Sequence, residues 1–497
     1  MGERLALGVL VSAVALGALG DYLFQGHALG VNAGVFTLAF VAALAILLRV
    51  GGVPLHQGRR AMVAPLVLFA GLLAWHDSPL LLATNLLAVA GAVAIGALRR
   101  TKPSLVDAQV ADYVVGAASA GASTFAGAID LLEKDVPWDR IGRQVRGRQG
   151  AAVARGLAIG LPLLALFGGL FVAADAVFRS ILFESIGDLS HLWLHLLIAA
   201  GIAWLSCGLL RDLLATRDEE RLVAAELAGV RRRNLALSGQ TEVAIVLAIV
   251  NVVFAAFVVV QIRYLFGGRG LVESRLHLTY AEYARHGFFE LLAVSLLVLP
   301  LLFGAHVLLR HRSPFSLRLV QALSGLLIAL SLVVMASALE RMRLYQREYG
   351  LTELRVYATG VIIWLGFVFV WFAATVVRAR PRLFVTGALV SGFVATLALN
   401  IANPDALIAR TNLDRPRVDV AYLGDLSDDA VPVLLERLPS LPARLRVPLA
   451  RELLRRGDGP QSLLGWNASR SRARDLLRDR HSTLVQVAGG RDALPSG

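Results

Sequence analysis

The 497-residue chain is poor in cysteine, lysine and charge. Its single cysteine, Cys207, excludes an intrachain disulfide and a cysteine-based metal cluster. Because Cys207 lies inside an apolar stretch, we expect a buried structural thiol. Charged residues make up 17% of the chain and hydrophobic residues 57%, whereas soluble domains carry roughly 25% charge. This composition argues against an ordinary soluble protein and favours one embedded in a lipid bilayer.

Signatures of nucleotide hydrolysis and of common hydrolases are also missing. The sequence holds no Walker loop and no GxSxG motif, and the predicted spans show no clear inverted repeat. ATPase, hydrolase and repeat-built transporter functions therefore lose support, and no cofactor is implied. The pI near 10.7 would suit nucleic-acid binding, but the cationic segments lack interleaved aromatic residues. Arginines gathered in cytoplasmic loops of a membrane protein explain the pI better.

Apolar stretches long enough to cross a bilayer recur along most of the chain. A hydrocarbon core about 30 Å thick needs about 20 helical residues, and helices are expected because lipid offers backbone groups no partner. The predicted fold class is all-α, a polytopic helical membrane bundle of about eleven transmembrane helices with a small C-terminal helical extracytoplasmic domain. The eleven stretches are 5–24, 31–49, 61–76, 80–98, 156–178, 191–210, 241–262, 288–309, 317–338, 356–377 and 383–401.

The distribution of basic residues predicts which side each loop faces. With the N-terminus inside, the cytoplasmic loops hold 25 Lys and Arg residues and the outer loops hold 9. Short cytoplasmic loops are enriched in these residues, so we expect the N-terminus to be cytoplasmic and the C-terminus extracytoplasmic. The 15 arginines of the long tail carry little weight in that rule. Only Lys102 and Lys134 are lysines, a bias typical of high-GC bacterial genomes, so the expected location is the bacterial cytoplasmic membrane.

Composition shifts divide the chain into five predicted segments. Residues 1–98 form a four-helix membrane segment, and 99–155 form a cytoplasmic insert that is basic and amphipathic. Residues 156–401 form a seven-helix membrane core with polar outer loops. Residues 402–485 form the extracytoplasmic domain, in which Pro432, Pro439, Pro442 and Pro448 separate short amphipathic helices that Asp425 or Ser427 could cap. The last residues, 486–497, are expected to be disordered.

Polar residues concentrate in two predicted outer loops, 261–290 and 339–357. If residues 280–290 are helical, Glu282, His286 and Glu290 follow one another at intervals of four and drift slowly around one face. The tyrosines and phenylalanines between them suit the headgroup depth, where an aromatic ring is half wet. The first loop therefore places several ionisable groups where the chain enters lipid.

The second loop predicts a helix end followed by a helix start. Tyr345 and Tyr349 are spaced to stack one turn apart, and Gly350 is placed to end their helix. Thr352 is then expected to cap the helix that enters the tenth span. We therefore expect the two loops to converge on the outer surface and to form a polar vestibule.

The vestibule has two interpretations. It is either a salt-bridge and aromatic belt that orients the helices, in which Glu340 pairs with Arg343, or a site that binds a ligand. Charges buried below the headgroups would favour the second, because burying them in lipid is costly. The candidate binding residues are Arg263, Tyr264, Tyr280, Glu282, Tyr283, Arg285, Glu290, Glu340, Arg343, Tyr345, Tyr349, Thr352 and Arg355.

A metal site has only weak support. His191 and His195 lie four residues apart at the outer start of the sixth span, a spacing at which two imidazoles can share zinc. HxxxH alone is not a specific signature, so we predict no metal centre and keep the two histidines as weak candidates.

Five blocks of the sequence resemble a known family. They are FVAADAVF (171–178), QIRYLFGG (261–268), TYAEYARHGFFEL (279–291), LYQREYGLTELRVY (344–357) and LDRPRVDVAYLGDLSDDAVP (413–432). Together they resemble a bacterial family of multi-pass membrane proteins known only as a domain of unknown function, over roughly residues 156–435. The resemblance implies an integral protein of the bacterial envelope and implies no activity, cofactor or catalytic residue.

Three functional hypotheses remain open at this point. The first is a non-enzymatic sensor, scaffold or partner of other membrane proteins, with an outward-facing polar vestibule. The second is a membrane enzyme acting on a lipid-linked or phosphate-bearing substrate at the outer leaflet, with Glu282 or Glu290 as base and arginines 285, 343 and 355 holding phosphate. The third is a transporter. The expected partners are the lipid bilayer and another membrane protein or a lipid-linked ligand, and no nucleic acid.

Overall fold

A computed structural model of the chain describes residues 1–52, 57–98, 127–136, 160, 189–214, 240–266, 288–309, 314–377, 381–456 and 462–489. Helices dominate these residues, and no strand occurs among them. The membrane part contains α1 (Glu3–Phe24), α2 (Val31–Val50), α3 (Gln57–Leu72), α4 (Pro79–Leu98), α5 (Leu189–Leu214), α6 (Gln240–Phe266), α7 (Phe288–Leu309), α8 (Pro314–Tyr349), α9 (Glu353–Phe372) and α10 (Pro381–Ala402).

Shorter helices follow α10. They are α11 (Pro404–Leu413), α12 (Val420–Asp425), α13 (Val431–Arg437), α14 (Ala443–Arg456), α15 (Ala468–Asp479) and α16 (His481–Ala488). The expected interruption at Pro448 is wrong, since this proline lies inside α14. Pro432 instead occupies the first turn of α13, where a proline costs no helical hydrogen bond.

The described residues support a membrane protein with fewer clear spans than predicted. Six helices are long and apolar enough to cross a bilayer, or up to seven if the bent pair Thr386–Ala402 and Pro404–Leu413 forms one span. The predicted spans 61–76, 80–98 and 288–309 coincide with α3, α4 and α7, which contain the apolar stretches Val63–Leu72, Pro79–Val93 and Leu291–Leu302. Apart from residue 160, the predicted span 156–178 lies outside the described residues. The number eleven therefore stays a prediction.

The chain divides into two compact units. The first comprises Met1–Asp77, Leu82–Leu222 and Gly459–Arg472, and the second comprises Ser78–Leu81, Val223–Asp458 and Ala473–Gly497. The segment 462–472 thus belongs with the N-terminal helices, while the rest of the described tail belongs with the second unit.

Two antiparallel helices, α1 and α5, form the centre of the first unit. Their contact is lined by small residues: a Cβ placed on Gly17 would lie 2.7 Å from the Cβ of Ala203, so the two backbones approach as closely as glycine allows. Cys207 is buried in the same core, beside Leu210 and the α1 residue Ala13. Its position agrees with the expected structural thiol.

The two ends of α1 carry different polar contacts. At its start, the Met1 ammonium lies 2.9 Å from Asp135, which also lies 2.9 Å from Arg211 at the end of α5. At its far end, Asp21 Oδ2 lies 2.8 Å from Nδ1 of His195, near the start of α5. These two pairings establish that α1 and α5 run in opposite directions.

The segment 462–470 packs at the far end of α1. The Val31 N–H donates to the Trp466 carbonyl at 2.9 Å, and Ala468 N–H donates to the Ala74 carbonyl at 2.8 Å. Asn467 Nδ2 donates to the His76 carbonyl at 2.7 Å. This segment therefore joins the α1–α2 loop to the α3–α4 loop, at the end of α1 opposite Met1.

In the second unit, α8 is longer than its apolar stretch. It has 36 residues, and it continues 11 residues beyond the predicted span end at residue 338. With a rise of about 1.5 Å per residue, this extension reaches about 16 Å past the apolar part. Much of the predicted outer loop 339–357 is therefore helical, and α9 begins only four residues after α8 ends.

A separate apolar core holds the helices after α10 together. Ile408 of α11, Leu423 of α12, Leu434 of α13, Leu449 of α14 and Leu484 of α16 are all at most 1% exposed and belong to one cluster. Leu351 and Val356 pack against this cluster from the α8–α9 junction. The helices from α11 onward in the second unit, called here the tail domain (404–456 and 473–489), thus fold against that junction.

Candidate functional site

The second predicted polar segment forms an ordered junction between α8 and α9. Tyr345 and Tyr349 make the expected edge-to-face contact, with ring centroids 5.1 Å apart. Arg343 lies 3.3 Å from Glu340, and both side chains are exposed. Gly350 ends α8 with φ +82°, as expected from its type. These local predictions are confirmed.

Two details of the junction differ from what the sequence suggests. Thr352 occupies the position before α9, but its side chain accepts no capping hydrogen bond. Arg355 turns back instead, donating to the Gly350 carbonyl at 2.6 Å while its guanidinium lies 4.1 Å from the centroid of the Tyr345 ring. An arginine over an aromatic face gains a cation–π attraction, so Arg355 closes the α8–α9 turn.

The first predicted polar segment cannot be placed against this junction. Tyr280, Glu282, Tyr283 and Arg285 lie outside the described residues. Three further candidates are described only as backbone: Arg263 and Tyr264 within α6, and Glu290 within α7. The convergence of the two outer segments on one vestibule therefore stays a prediction.

Of the two weak metal candidates, only His195 has a described side chain. His195 pairs with Asp21 through the 2.8 Å contact already described, and of His191 only the backbone, in α5, is described. Within the described part of the chain, no group of three His, Cys, Asp or Glu residues could hold a metal ion.

Asn412 fastens the tail domain to the α8–α9 junction. Its side-chain oxygen accepts from the Leu351 N–H at 2.8 Å, and its side-chain nitrogen donates to the Leu351 carbonyl at 2.8 Å. The amide thereby pairs with both backbone groups of one residue, as a neighbouring strand would. At 9% exposed, Asn412 makes these bonds with little competition from water.

Arg415 binds the end of α8 beside that contact. Its guanidinium donates to the carbonyls of Gln346 at 3.0 Å and Arg347 at 2.8 Å, and also to Glu348. The last carbonyls of a helix have no partner within the helix and carry a partial negative charge. The Gln346 carbonyl also accepts the Gly350 N–H at 2.8 Å. Through its contacts with the three carbonyls, the Arg415 cation holds the end of α8 against the start of the tail domain.

Carboxylates from three segments gather next to this joint. Asp405 lies in the first turn of α11 and is fully buried, and Asp429 is 4% exposed. Ser427 connects them: its N–H donates to Asp405 Oδ2 at 3.1 Å, and its hydroxyl contacts both Asp405 Oδ2 and Asp429 Oδ2. The Ser78 N–H donates to Asp429 Oδ2 at 2.9 Å. Glu353, at the start of α9, completes the cluster because its carboxyl lies within hydrogen-bonding reach of Asp405.

Burial shifts the protonation of this cluster. It raises the pKa of Asp405; the hydrogen bonds from Ser427 oppose the shift, and the nearby charge of Asp429 adds to it. Burial also raises the pKa of the Tyr422 hydroxyl, whose oxygen accepts the Glu353 N–H at 3.0 Å. Anionic side chains are therefore disfavoured at the joint.

Sequence reasoning missed Asp405, Asn412, Arg415 and Asp429 as candidate residues. A local signal was present, since Asn403-Pro404-Asp405 is a typical helix start, and Asn403 does cap α11 through a bond from the Ala406 N–H. That signal explains an acidic residue in the first turn by the helix dipole alone. It carries no information on the burial of Asp405.

Comparison with known proteins gives a family and no function. No curated protein and no solved structure matches the chain. A family match covers residues 63–437, well over half of the chain, and it begins earlier than the resemblance seen from residue 156 onward. The chain therefore belongs to the family described as Domain of unknown function (DUF4153).

Proposed function

We propose that this protein is a non-enzymatic multi-pass protein of the bacterial cytoplasmic membrane, acting as a sensor, scaffold or partner of other membrane proteins. The observation that carries the proposal is the joint made by Asn412 and Arg415. These side chains bind the main chain at the end of α8 and at Leu351. A ligand or partner that moves the tail domain would therefore move α8 and α9 with it.

The joint suits signal transfer because its bonds are directional and partly shielded. Hydrogen bonds to backbone groups fix orientation as well as distance, and α8 and α9 are both long enough to cross the bilayer. A loosely tethered domain could bind a partner without affecting the membrane part. A domain fixed to two helix ends couples the two.

The polar groups that an enzyme would use are partly engaged elsewhere. Of the three arginines considered for phosphate binding, Arg343 pairs with Glu340 and Arg355 binds the Gly350 carbonyl. Two of the serines that could line a transport path are likewise used within their own helices: Ser295 donates to Leu291 and Ser331 donates to Leu327. These contacts favour the non-enzymatic proposal.

For the orientation, we propose a cytoplasmic N-terminus and an extracytoplasmic tail. The basic-residue distribution supports it. The fold of the first unit is consistent with it, because Met1 and the tail segment 462–470 pack at opposite ends of α1. The packing at opposite ends of α1 fits either orientation, so the choice between the two rests on the basic-residue distribution.

Cysteine labelling tests this orientation directly. In a Cys207→Ala background, Ser482→Cys places a thiol on an exposed position of α16 and Gly2→Cys places one before α1. We expect a membrane-impermeant maleimide to label the first variant in intact cells and the second only after the membrane is opened. Labelling of Gly2→Cys alone in intact cells would overturn the orientation.

Complementation of a deletion strain tests the function. We expect Asn412→Ala to restore the growth of the deletion strain under envelope stress only weakly while reaching normal membrane levels, because the joint is weakened. The double variant Glu282→Gln/Glu290→Gln removes both candidate bases and should complement like wild type.

The opposite pattern would reject the proposal. Loss of function in the double glutamine variant at normal membrane levels, with Asn412→Ala active, would establish chemistry at the vestibule. An enzyme deprived of its general base typically loses a factor of about 10²–10⁴ in rate, so the two results are easily separated.

A further inference from the structure

The carboxylate cluster at the joint has an unpaired oxygen in its interior. Asp405 is fully buried, and while its Oδ2 accepts from Ser427, its Oδ1 has no hydrogen-bond donor among the described residues. A buried carboxylate oxygen without a hydrogen-bond donor is costly. Asp405 Oδ1 therefore requires a donor in addition to the bonds that Ser427 makes to Oδ2.

The neighbour of Asp405 identifies that species. The Glu353 carboxyl lies within hydrogen-bonding reach of Asp405, but two ionised carboxylates are both acceptors and cannot bond to each other. A hydrogen bond between them forms only when one of them holds a proton. Two carboxyl groups at short range also retain one proton between them, because ionising both would place two negative charges next to each other.

The charged groups around the pair offer little compensation. From α9, Arg355 is directed to the Gly350 carbonyl and the Tyr345 ring. From the 428–430 turn, Asp428 is bound by Arg456 at 3.4 Å, and Asp429 adds negative charge. From α13, Arg437 pairs with Asp414 at the opposite end of α11. Among the described residues, Tyr357 and Tyr422 also face the pair.

We propose that Glu353 and Asp405 share one proton and that its loss at higher pH loosens the tail domain from α9. The two residues belong to different sides of the joint, Glu353 to the start of α9 and Asp405 to the start of α11. When protonated, the pair forms a bond across the joint. When deprotonated, it repels across the joint. The site thus makes the joint respond to the pH on the side of the membrane where the tail lies.

The sign of the effect follows from burial. The folded-state pKa of Asp405 is raised, so the folded protein holds the proton more tightly than the unfolded chain, in which an aspartate titrates near about 4. The stabilisation is complete below that pH and is lost as the pH rises through the folded-state pKa. This deepens the proposed sensor function, on which it rests, by naming the proton as the ligand.

The test uses full-length protein in nanodiscs of neutral lipid. We expect the melting temperature of the wild type to fall as the pH is raised from acidic to alkaline. Glu353→Gln and Asp405→Asn each replace a carboxyl group with an amide, which can still donate a hydrogen bond across the joint but does not titrate. Both variants should therefore lose most of this pH dependence. Glu340→Gln, at an exposed carboxylate on α8, should keep the wild-type slope.

A second measurement protects the test against variants that fold poorly. The infrared carbonyl stretch of a protonated carboxylic acid should be present in the wild type, should disappear as the pH rises, and should be absent from Glu353→Gln. A Glu353→Gln variant with wild-type pH dependence, or a wild type stabilised by added Mg²⁺ or Ca²⁺ instead of by acid, would overturn the proton site.

The outcomes distinguish this inference from the proposed function. The melting and infrared measurements need no partner and no cellular activity, so the proton site can stand where the complementation result removes the sensor function. Conversely, if Asn412→Ala fails to complement while the melting curves show no pH dependence, the joint carries a signal other than protons.

Discussion

Replacing Asn412 with alanine is expected to lower the stability of the second unit by about 2–4 kcal/mol, because two backbone groups of Leu351 lose their partner. Removing one partner of a hydrogen bond costs more than the bond itself contributes, since the group left behind stays partly buried. The corresponding fall in melting temperature is about 5–10 °C for a unit of this size. Differential scanning fluorimetry of the purified protein measures it.

A control at the residue that follows α11 separates the joint from a general loss of polar contacts. Asp414 lies two residues further along and pairs with Arg437 at 3.4 Å, with side chains 61% and 45% exposed. An exposed ion pair contributes at most about 1 kcal/mol, so Asp414→Ala should melt close to wild type. Equal melting temperatures for the two variants would contradict the assigned role of Asn412.

A substitution on the other side of the joint should reproduce the effect. A Cβ on Gly350 would lie 2.6 Å from the side-chain oxygen of Asn412, and the φ of Gly350 is +82°, which alanine tolerates poorly. Gly350→Ala is therefore expected to displace the same amide. Faster hydrogen exchange at Leu351 in both variants would locate the damage at the joint.

The local features of this region could be predicted from the sequence because they depend on neighbours along the chain. The end of a helix at Gly350, the contact of Tyr345 with Tyr349 and the pairing of Glu340 with Arg343 all involve residues within four positions. Side chains three or four residues apart lie next to each other on the surface of a helix. The apolar stretches also predicted helices, because their length and composition are properties of consecutive residues.

Hydropathy could not predict where a helix ends when its last turns consist of polar residues. The predicted span ended at residue 338, where the apolar stretch stops, yet α8 continues through Glu340 and Arg343 to Tyr349. Glu, Arg and Gln favour helices as strongly as leucine does, so polarity marks the edge of lipid and not the end of the helix. Pro448 shows the converse: a residue that usually interrupts a helix is accommodated inside α14.

The joint and the carboxylate cluster depend on contacts between distant parts of the sequence. Asn412 meets a backbone 61 residues away, and Asp429 meets Ser78 across 351 residues. No periodicity or motif records such a pairing. A single sequence places an aspartate near a helix start, but only the packing of α9, α11 and the 428–430 turn determines that Asp405 is buried beside another carboxyl group.

The second large effect is expected in the first unit, where Arg211→Met should cost about 2–4 kcal/mol. Arg211 lies 2.9 Å from Asp135 and 3.6 Å from Asp130, and Asp135 is only 6% exposed. Removing one member of a buried ion pair typically costs about 3–5 kcal/mol, because the remaining charge stays buried without compensation. Here the Met1 ammonium, 2.9 Å from the same carboxylate, keeps part of that compensation and places the effect at the lower end.

The same substitution at an exposed pair supplies the control. Arg343 meets Glu340 at 3.3 Å with side chains 56% and 38% exposed, so Arg343→Met should change stability by less than about 1 kcal/mol. The double variant Arg211→Met/Asp135→Leu also deprives the Met1 ammonium, which is only 4% exposed, of its carboxylate, so it should be less stable than Arg211→Met. If the double variant instead recovers stability relative to Arg211→Met, Asp135 contributes mainly through Arg211, and the N-terminal contact adds little at this end of α1.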